Sequence, residues 1–192
     1  MPRFDTASLA RLREELARRP PIEIRAPQLR RACVLIPLIP SNDGWLILLS
    51  RRSANLAAHS GQIAFPGGAV EPNETLEQAA IREAWEEVGI PQHLVEIIGR
   101  LDDVVTNSGF LVAPFAGIVH ERVEYVLQQG EVEDVFEVPL DALLTPALPE
   151  VRYVTFREGR YPAYFYPFGT NEIWGLTGRI LKAFLDFAWV SL

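Results

Sequence analysis

Cysteine is almost missing from this chain of 192 residues: Cys33 is the only one. A single cysteine excludes a disulfide framework and a cysteine-based metal cluster, and its place in an apolar run makes it a small buried hydrophobe. No apolar stretch is long enough to span a bilayer, and the opening MPRFDTASLARLREELARR lacks the apolar centre of a signal peptide. A cytoplasmic protein with no membrane association is therefore expected. Basic runs are also missing. Eighteen Lys and Arg stand against 25 Asp and Glu, for a net charge of −7, and no lysine-rich stripe interleaves with aromatics. That excludes a nucleic-acid partner held by its phosphate backbone. There is no internal repeat and no low-complexity linker. What the chain does have is apolar material, 48% of residues, ample for the core of one domain of ordinary size.

Periodicity and turn chemistry divide the chain into elements. Leu9, Leu12 and Leu16 recur at helical spacing in residues 6–19, ended by Pro20 and Pro21. Strand-like runs follow at 32–39 and 45–50, joined by Ser41-Asn42-Asp43-Gly44, which is hairpin chemistry. After the break Pro66-Gly67-Gly68 comes a strong helix. Thr75 caps it, Gln78 completes a capping box, and Gly89 stops it with Pro91 beyond. Strands are predicted at 96–105, 110–119 and 131–138, a helical turn at 141–144, a Tyr- and Phe-rich hairpin at 151–168, and a terminal helix at 172–192. Residues 1–29 form a helix and lead-in, and 30–192 one α+β domain with a mixed sheet flanked by helices. The N-terminal helix either packs on the domain or contributes to a dimer.

The chemistry concentrates in residues 68–90. At about 100° per residue, Glu83, Glu86 and Glu87 share one arc of the helix, while Ile81, Ala84, Trp85 and Val88 share another. The apolar arc, Trp85 included, is expected to pack on the sheet. The acidic arc gathers three carboxylates that repel one another at i, i+4. Such clusters suit hard divalent cations, above all Mg²⁺. Alone they would read as a solvated acidic face, but Gly67 and Gly68 just before the helix let backbone approach a ligand or metal closely, and the Gly68 carbonyl offers one more oxygen.

These residues resemble the Nudix box, G-x5-E-x7-R-E-U-x-E-E-x-G-U. Gly68, Glu74, Arg82, Glu83, Glu86, Glu87 and Gly89 match it position for position. The resemblance implies the Nudix fold, an α/β/α sandwich around a mixed sheet, and metal-dependent hydrolysis of a nucleoside diphosphate linked to another group. It implies Mg²⁺ or Mn²⁺ held by Glu83 and Glu87, with Glu86 and the Gly68 carbonyl beside them. Glu74 and Arg82 would pair to hold loop and helix in register. The general base is variably placed in this superfamily, within the box (Glu86) or on a later loop. Glu131 is the candidate there, as base or extra ligand, against the plain reading of a surface acid before a strand.

Substrate choice must come from outside the box. Leu48, Leu49, Arg52, Ser53, Gly61, Phe65, Pro66, Gly67 and Gly68 match L-L-T-x-R-[SA]-x3-R-x3-G-x3-F-P-G-G, the stretch preceding the box in coenzyme A pyrophosphatases. Ser50 replaces the threonine and Ala57 the second arginine; the latter removes a cation that could meet a phosphate. Residues 173–181 also resemble the closing helix of those enzymes. The resemblance implies coenzyme A as the small-molecule substrate, cut to adenosine 3′,5′-bisphosphate and 4′-phosphopantetheine, with ADP-ribose or another nucleoside diphosphate derivative, or a non-catalytic binding domain, as alternatives. Its extra 3′-phosphate calls for cations. Arg51 and Arg52 are the candidates, with Arg52 expected at the 3′-phosphate, and Arg30 and Arg31 as substitutes. Ser53 and His59 lie in the same loop, His59 either binding phosphate or capping backbone. The aromatics between Tyr153 and Phe168 either fill a hairpin face or line a groove for adenine or pantetheine.

Overall fold

The computed structural model describes residues 3–54, 61–156 and 159–192. Two apolar strands form its centre, β1 (Arg30–Ser41) and β7 (Phe110–Val119), paired in parallel from Arg30 opposite Phe110 to Leu38 opposite Ile118. Both are buried on both faces, so they read as continuous apolar runs rather than alternating ones. In β1, Val34, Ile36 and Leu38 point into one core cluster and Cys33 and Leu35 into another on the opposite face. β2 (Gly44–Arg52) returns from β1 through the Asn42-Asp43 turn, with Ser41 opposite Gly44.

Around this centre, β5 (Val95–Arg100) and β6 (Val104–Val105) pair with β7, and β8 (Val132–Pro139) pairs with β2. Two short strands complete the sheet: β3 (Ile63–Ala64) against β2, and β4 (Gly67–Ala69) against the start of β1. Their residues carry no alternation long enough to mark them in sequence. β9 (Glu150–Phe156), β10 (Gly159–Phe168) and β11 (Asn171–Ile173) form a separate antiparallel sheet.

Helices cover both faces. α1 (Thr6–Arg18) buries Leu9, Leu12 and Leu16, and α4 (Gly175–Val190) buries Ile180, Leu181, Phe184, Leu185 and Ala188; all join one large cluster. α2 (Leu76–Val88) lies on the opposite face, and a short α3 (Leu140–Leu143) follows β8. This is the α/β/α sandwich around a mixed sheet. Among the described residues no helix is long and apolar enough to cross a membrane.

Three expectations need correction. The terminal helix begins at Gly175, because residues 171–173 pair with β10 as β11. The run 96–105 is two strands, broken where Asp102 and Asp103 turn their carboxylates onto Arg19, Arg31, Arg100 and the backbone N–H groups of Ile22 and Ile24. And Trp85 is 52% exposed. The face of α2 against the sheet is instead Ala79, Ala80, Ala84, Glu87 and Val88, rotated from the expected apolar arc. Small alanines bring the helix axis close to β1, and that approach drives a carboxylate into the interior.

Candidate active site

α2 is built to present carboxylates at a fixed height above the glycine turn. Thr75 accepts from the Gln78 N–H while the Gln78 side chain accepts from the Thr75 N–H, completing the capping box. Gly89, at φ +77°, closes the other end in the left-handed region that favours glycine. Between these stops Glu83 and Glu87 face β4.

Close approach explains both glycines of that strand. A Cβ on Gly67 would lie 2.3 Å from the Cys33 carbonyl oxygen and 2.7 Å from Val34 Cα. A Cβ on Gly68 would lie 2.4 Å from a Glu83 carboxylate oxygen. The Gly68 carbonyl faces inward, 3.8 Å from Cys33 Sγ. Burial pushes that thiol up to about 12, consistent with an inert core residue.

Glu87 is only 3% exposed. Its Oε2 accepts from the Gly67 N–H at 3.0 Å, and its Oε1 lies 3.9 Å from Arg52 Nη1. Burial raises its pKa to about 7, reinforced by the charges of Glu83 and Glu131 and opposed by the Gly67 N–H and Arg52. Glu83 is shifted upward too, again mainly by burial, against the pull of Arg82. Glu86 is more exposed and accepts from Arg82 Nη1 at 2.8 Å.

Arg82 is the hub of the turn. It grips Glu74 through two bonds of 2.7 and 3.0 Å, reaches Glu83 at 3.0 Å, and donates to the Ala69 carbonyl. These partners hold it charged far above any accessible pH and draw the Glu74 carboxyl below its ordinary value. Among the described residues no three acidic, His or Cys side chains converge at ligating distance.

Glu131 comes from a different part of the chain. The Gln128 N–H donates to the Glu87 carbonyl at 3.0 Å and the Val126 N–H to the Val88 carbonyl at 3.2 Å, so this loop is tied to the end of α2. The Gln128 side chain then donates to Glu131 Oε1, and the Ser53 N–H donates to the Glu131 carbonyl. The charge of Glu131 is therefore felt at both Glu83 and Glu87. Gln128 carries no sequence signal for this role, since only the fold brings it under the helix.

The neighbouring arginines separate. A register shift between Arg51 and Arg52 lets Arg52 turn toward Glu87 while Arg51 donates to Asn171 Oδ1 of β11. Arg52 Nε is buried without a hydrogen-bond acceptor among the described residues. The substitutes are engaged elsewhere: Arg31 pairs with Asp103 at 3.2 Å, and Arg30 lies over the Phe110 ring. Ser53 is buried beside Glu131. His59 and Ala57 lie outside the described residues.

The raised carboxyl of Glu87 has a measurable consequence for stability. Below the ordinary value of 4.5 it is protonated in both the folded and the unfolded chain. Between 4.5 and about 7 the unfolded chain has released this proton and the folded one has not. Folding stability from this group is therefore lost as pH rises across that window, by about 3 kcal/mol, and is level above it. In metal-free protein, the unfolding free energy of wild type relative to Glu87→Gln is expected to fall between pH 5 and pH 8. A difference that stays flat with pH would sink this account of the buried carboxyl.

Comparison with known proteins finds related sequences and folds. The NUDIX domain profile matches residues 29–162. The chain is 37% identical over 163 residues to an uncharacterized Nudix hydrolase, NudL, from Photorhabdus laumondii, covering 84% of this chain and 87% of that one. NudL from Yersinia pestis is 39% identical over 158 residues, covering 80% and 77%. Among solved structures, the Nudix hydrolase RenU from M. smegmatis superposes with a TM-score of 0.51 and 26% identity, over 59% of this chain and 73% of that one. A C. elegans Ap4A hydrolase superposes at 0.50 with 22% identity, over 59% and 82%, and shares the fold.

Proposed function

This chain belongs to the Nudix hydrolase family, and on that premise we propose that its substrate is coenzyme A, cleaved at the pyrophosphate to adenosine 3′,5′-bisphosphate and 4′-phosphopantetheine. The observation that carries this reading is the stretch Leu48-Leu49…Arg52-Ser53…Phe65-Pro66-Gly67-Gly68, which resembles that of coenzyme A pyrophosphatases and whose Arg52 side chain stands beside Glu87.

Nudix hydrolases generally need a divalent metal such as Mg²⁺ or Mn²⁺. The residues here fit one. Glu83 and Glu87 are both pushed up by burial, helped by the charges of Glu86 and Glu131 at Glu83 and of Glu83 and Glu131 at Glu87, and the cations on hand oppose this only in part. Gly68 lacks the side chain that would keep Glu83 off the backbone. Glu83 and Glu87 would hold the metal, with Glu86 and the Gly68 carbonyl beside them. Bound there, it would supply neutralising charge for the pyrophosphate and Lewis-acid activation of the attacking water.

The chain's own residues do the rest. Arg52, whose guanidinium stands beside Glu87, binds the pyrophosphate. Glu131 takes the proton of the water as its oxygen bonds to phosphorus and the bridging oxygen leaves with the other phosphate. Arg82, through Glu74, keeps the loop and α2 in register.

Hydrolysis of coenzyme A, ADP-ribose, diadenosine compounds and nucleoside triphosphates, with and without Mg²⁺ or Mn²⁺, tests the substrate. Metal-dependent release of 4′-phosphopantetheine is the expected result. Ala57, where coenzyme A pyrophosphatases carry arginine, favours a second reading as a hydrolase of ADP-ribose or another nucleoside diphosphate derivative, and activity confined to that substrate would establish it. With Arg52 at the pyrophosphate rather than at the outlying 3′-phosphate, Arg52→Ala should raise KM about tenfold or more for coenzyme A and dephospho-coenzyme A alike. A loss confined to coenzyme A would return Arg52 to the 3′-phosphate.

A further inference from the structure

We infer that the open face of Trp174 is the platform on which the adenine of the substrate stacks, with Arg51 facing the phosphate on the ribose; this rests on the reading of the substrate as an adenine nucleotide. Trp174 lies parallel to Phe165, with ring centroids 5.5 Å apart and planes within 8°. Arg152 lies over the Phe165 ring at 4.4 Å and is itself held by Glu150 and Glu172. Trp174, stacked on that braced ring, remains 46% exposed. An indole that ends a stack in solvent offers its π face to another flat ring, and every base has such a face.

Its position suits the reaction. The Thr177 hydroxyl, one turn along α4 from Trp174, donates to the Ile63 carbonyl at 2.8 Å. From Ile63 the chain runs only four residues to Gly67, whose N–H holds Glu87, a reach of at most about 14 Å. Arg51 pairs with Ile63 in the sheet, and its guanidinium is anchored on Asn171, three residues before Trp174. A base, a ribose phosphate and a pyrophosphate would thus meet Trp174, Arg51 and Arg52 in that order at the end of β2.

The test is calorimetric titration of adenosine 3′,5′-bisphosphate, AMP and 4′-phosphopantetheine into wild type, Trp174→Leu, Trp174→Phe and Arg51→Gln with Mg²⁺ present. Leucine keeps apolar bulk on Phe165 but has no π face; phenylalanine keeps the face and controls for folding. Trp174→Leu should weaken both nucleotides about tenfold, Trp174→Phe no more than about threefold, and neither should alter 4′-phosphopantetheine, which has no base. Arg51→Gln should weaken adenosine 3′,5′-bisphosphate and leave AMP unchanged. Trp174→Leu binding as tightly as wild type, or a wild type that binds neither nucleotide, overturns the platform; equal losses on both nucleotides in Arg51→Gln overturn the phosphate contact. Turnover separates the two readings. If ADP-ribose rather than coenzyme A is hydrolysed, the substrate assignment fails, while Trp174→Leu should still raise KM for that adenine-containing substrate with kcat unaltered.

Discussion

Glu83→Gln is expected to lower kcat by more than the roughly hundredfold that loss of an outer-shell partner costs at a metal site. Glutamine keeps the shape of the side chain and still accepts from Arg82, so the turn stays assembled. What goes is one of the two carboxylate charges that face β4. Calorimetric titration of Mg²⁺ or Mn²⁺ should show weakened binding in parallel with the lost turnover. The thermal midpoint of the metal-free protein should stay level or rise, because burial already disfavours the ionised form of Glu83. Full activity in this variant would remove Glu83 from the chemistry. Lost activity with intact metal binding would move it from ligand to another role.

Gly67→Ala should unfold the protein several degrees earlier, whereas Gly68→Ala should leave the fold standing and abolish activity. The two glycines are adjacent, yet what a methyl group would meet differs. At Gly67 it meets backbone of the central strand, the Cys33 carbonyl oxygen at 2.3 Å and Val34 Cα at 2.7 Å, neither of which can yield. β4 must then leave β1, at a cost of about 3 kcal/mol, or roughly 6–12 °C for a chain of this size. At Gly68 it meets the far end of the Glu83 side chain, which can swing aside. The strand survives and the carboxylate is displaced. Thermal unfolding followed beside steady-state turnover distinguishes them. Equal midpoints for the two variants would mean that β4 is not held against β1 as described.

Much of this was legible before any coordinates. The capping box at Thr75 and Gln78, the stop at Gly89, the Asn42-Asp43 hairpin and the buried runs of β1 and β7 depend on local backbone preferences and on apolar patterning, which one stretch of chain carries by itself. The family resemblance was legible for the same reason: its residues all lie within 68–90. Less legible was which way α2 faces. Counting apolar residues put Trp85 inward, but the alanines allow the closer approach to the sheet, and closeness outweighs the transfer of one large ring.

Sequence by itself determined the long elements, the family and the set of charged residues available, but not the short strands β3, β4, β6 and β11. Tertiary structure alone decided how those charges are shared: that Arg82 engages Glu83 and Glu86 as well as Glu74, that Glu87 is buried against Gly67, that the loop from Gln128 brings Glu131 beside them, and that neighbouring Arg51 and Arg52 part company. The physical reason is range. Helix caps and turns are settled within a few residues, whereas a carboxylate's burial and its partners depend on groups up to dozens of positions away, brought near only when the sheet closes.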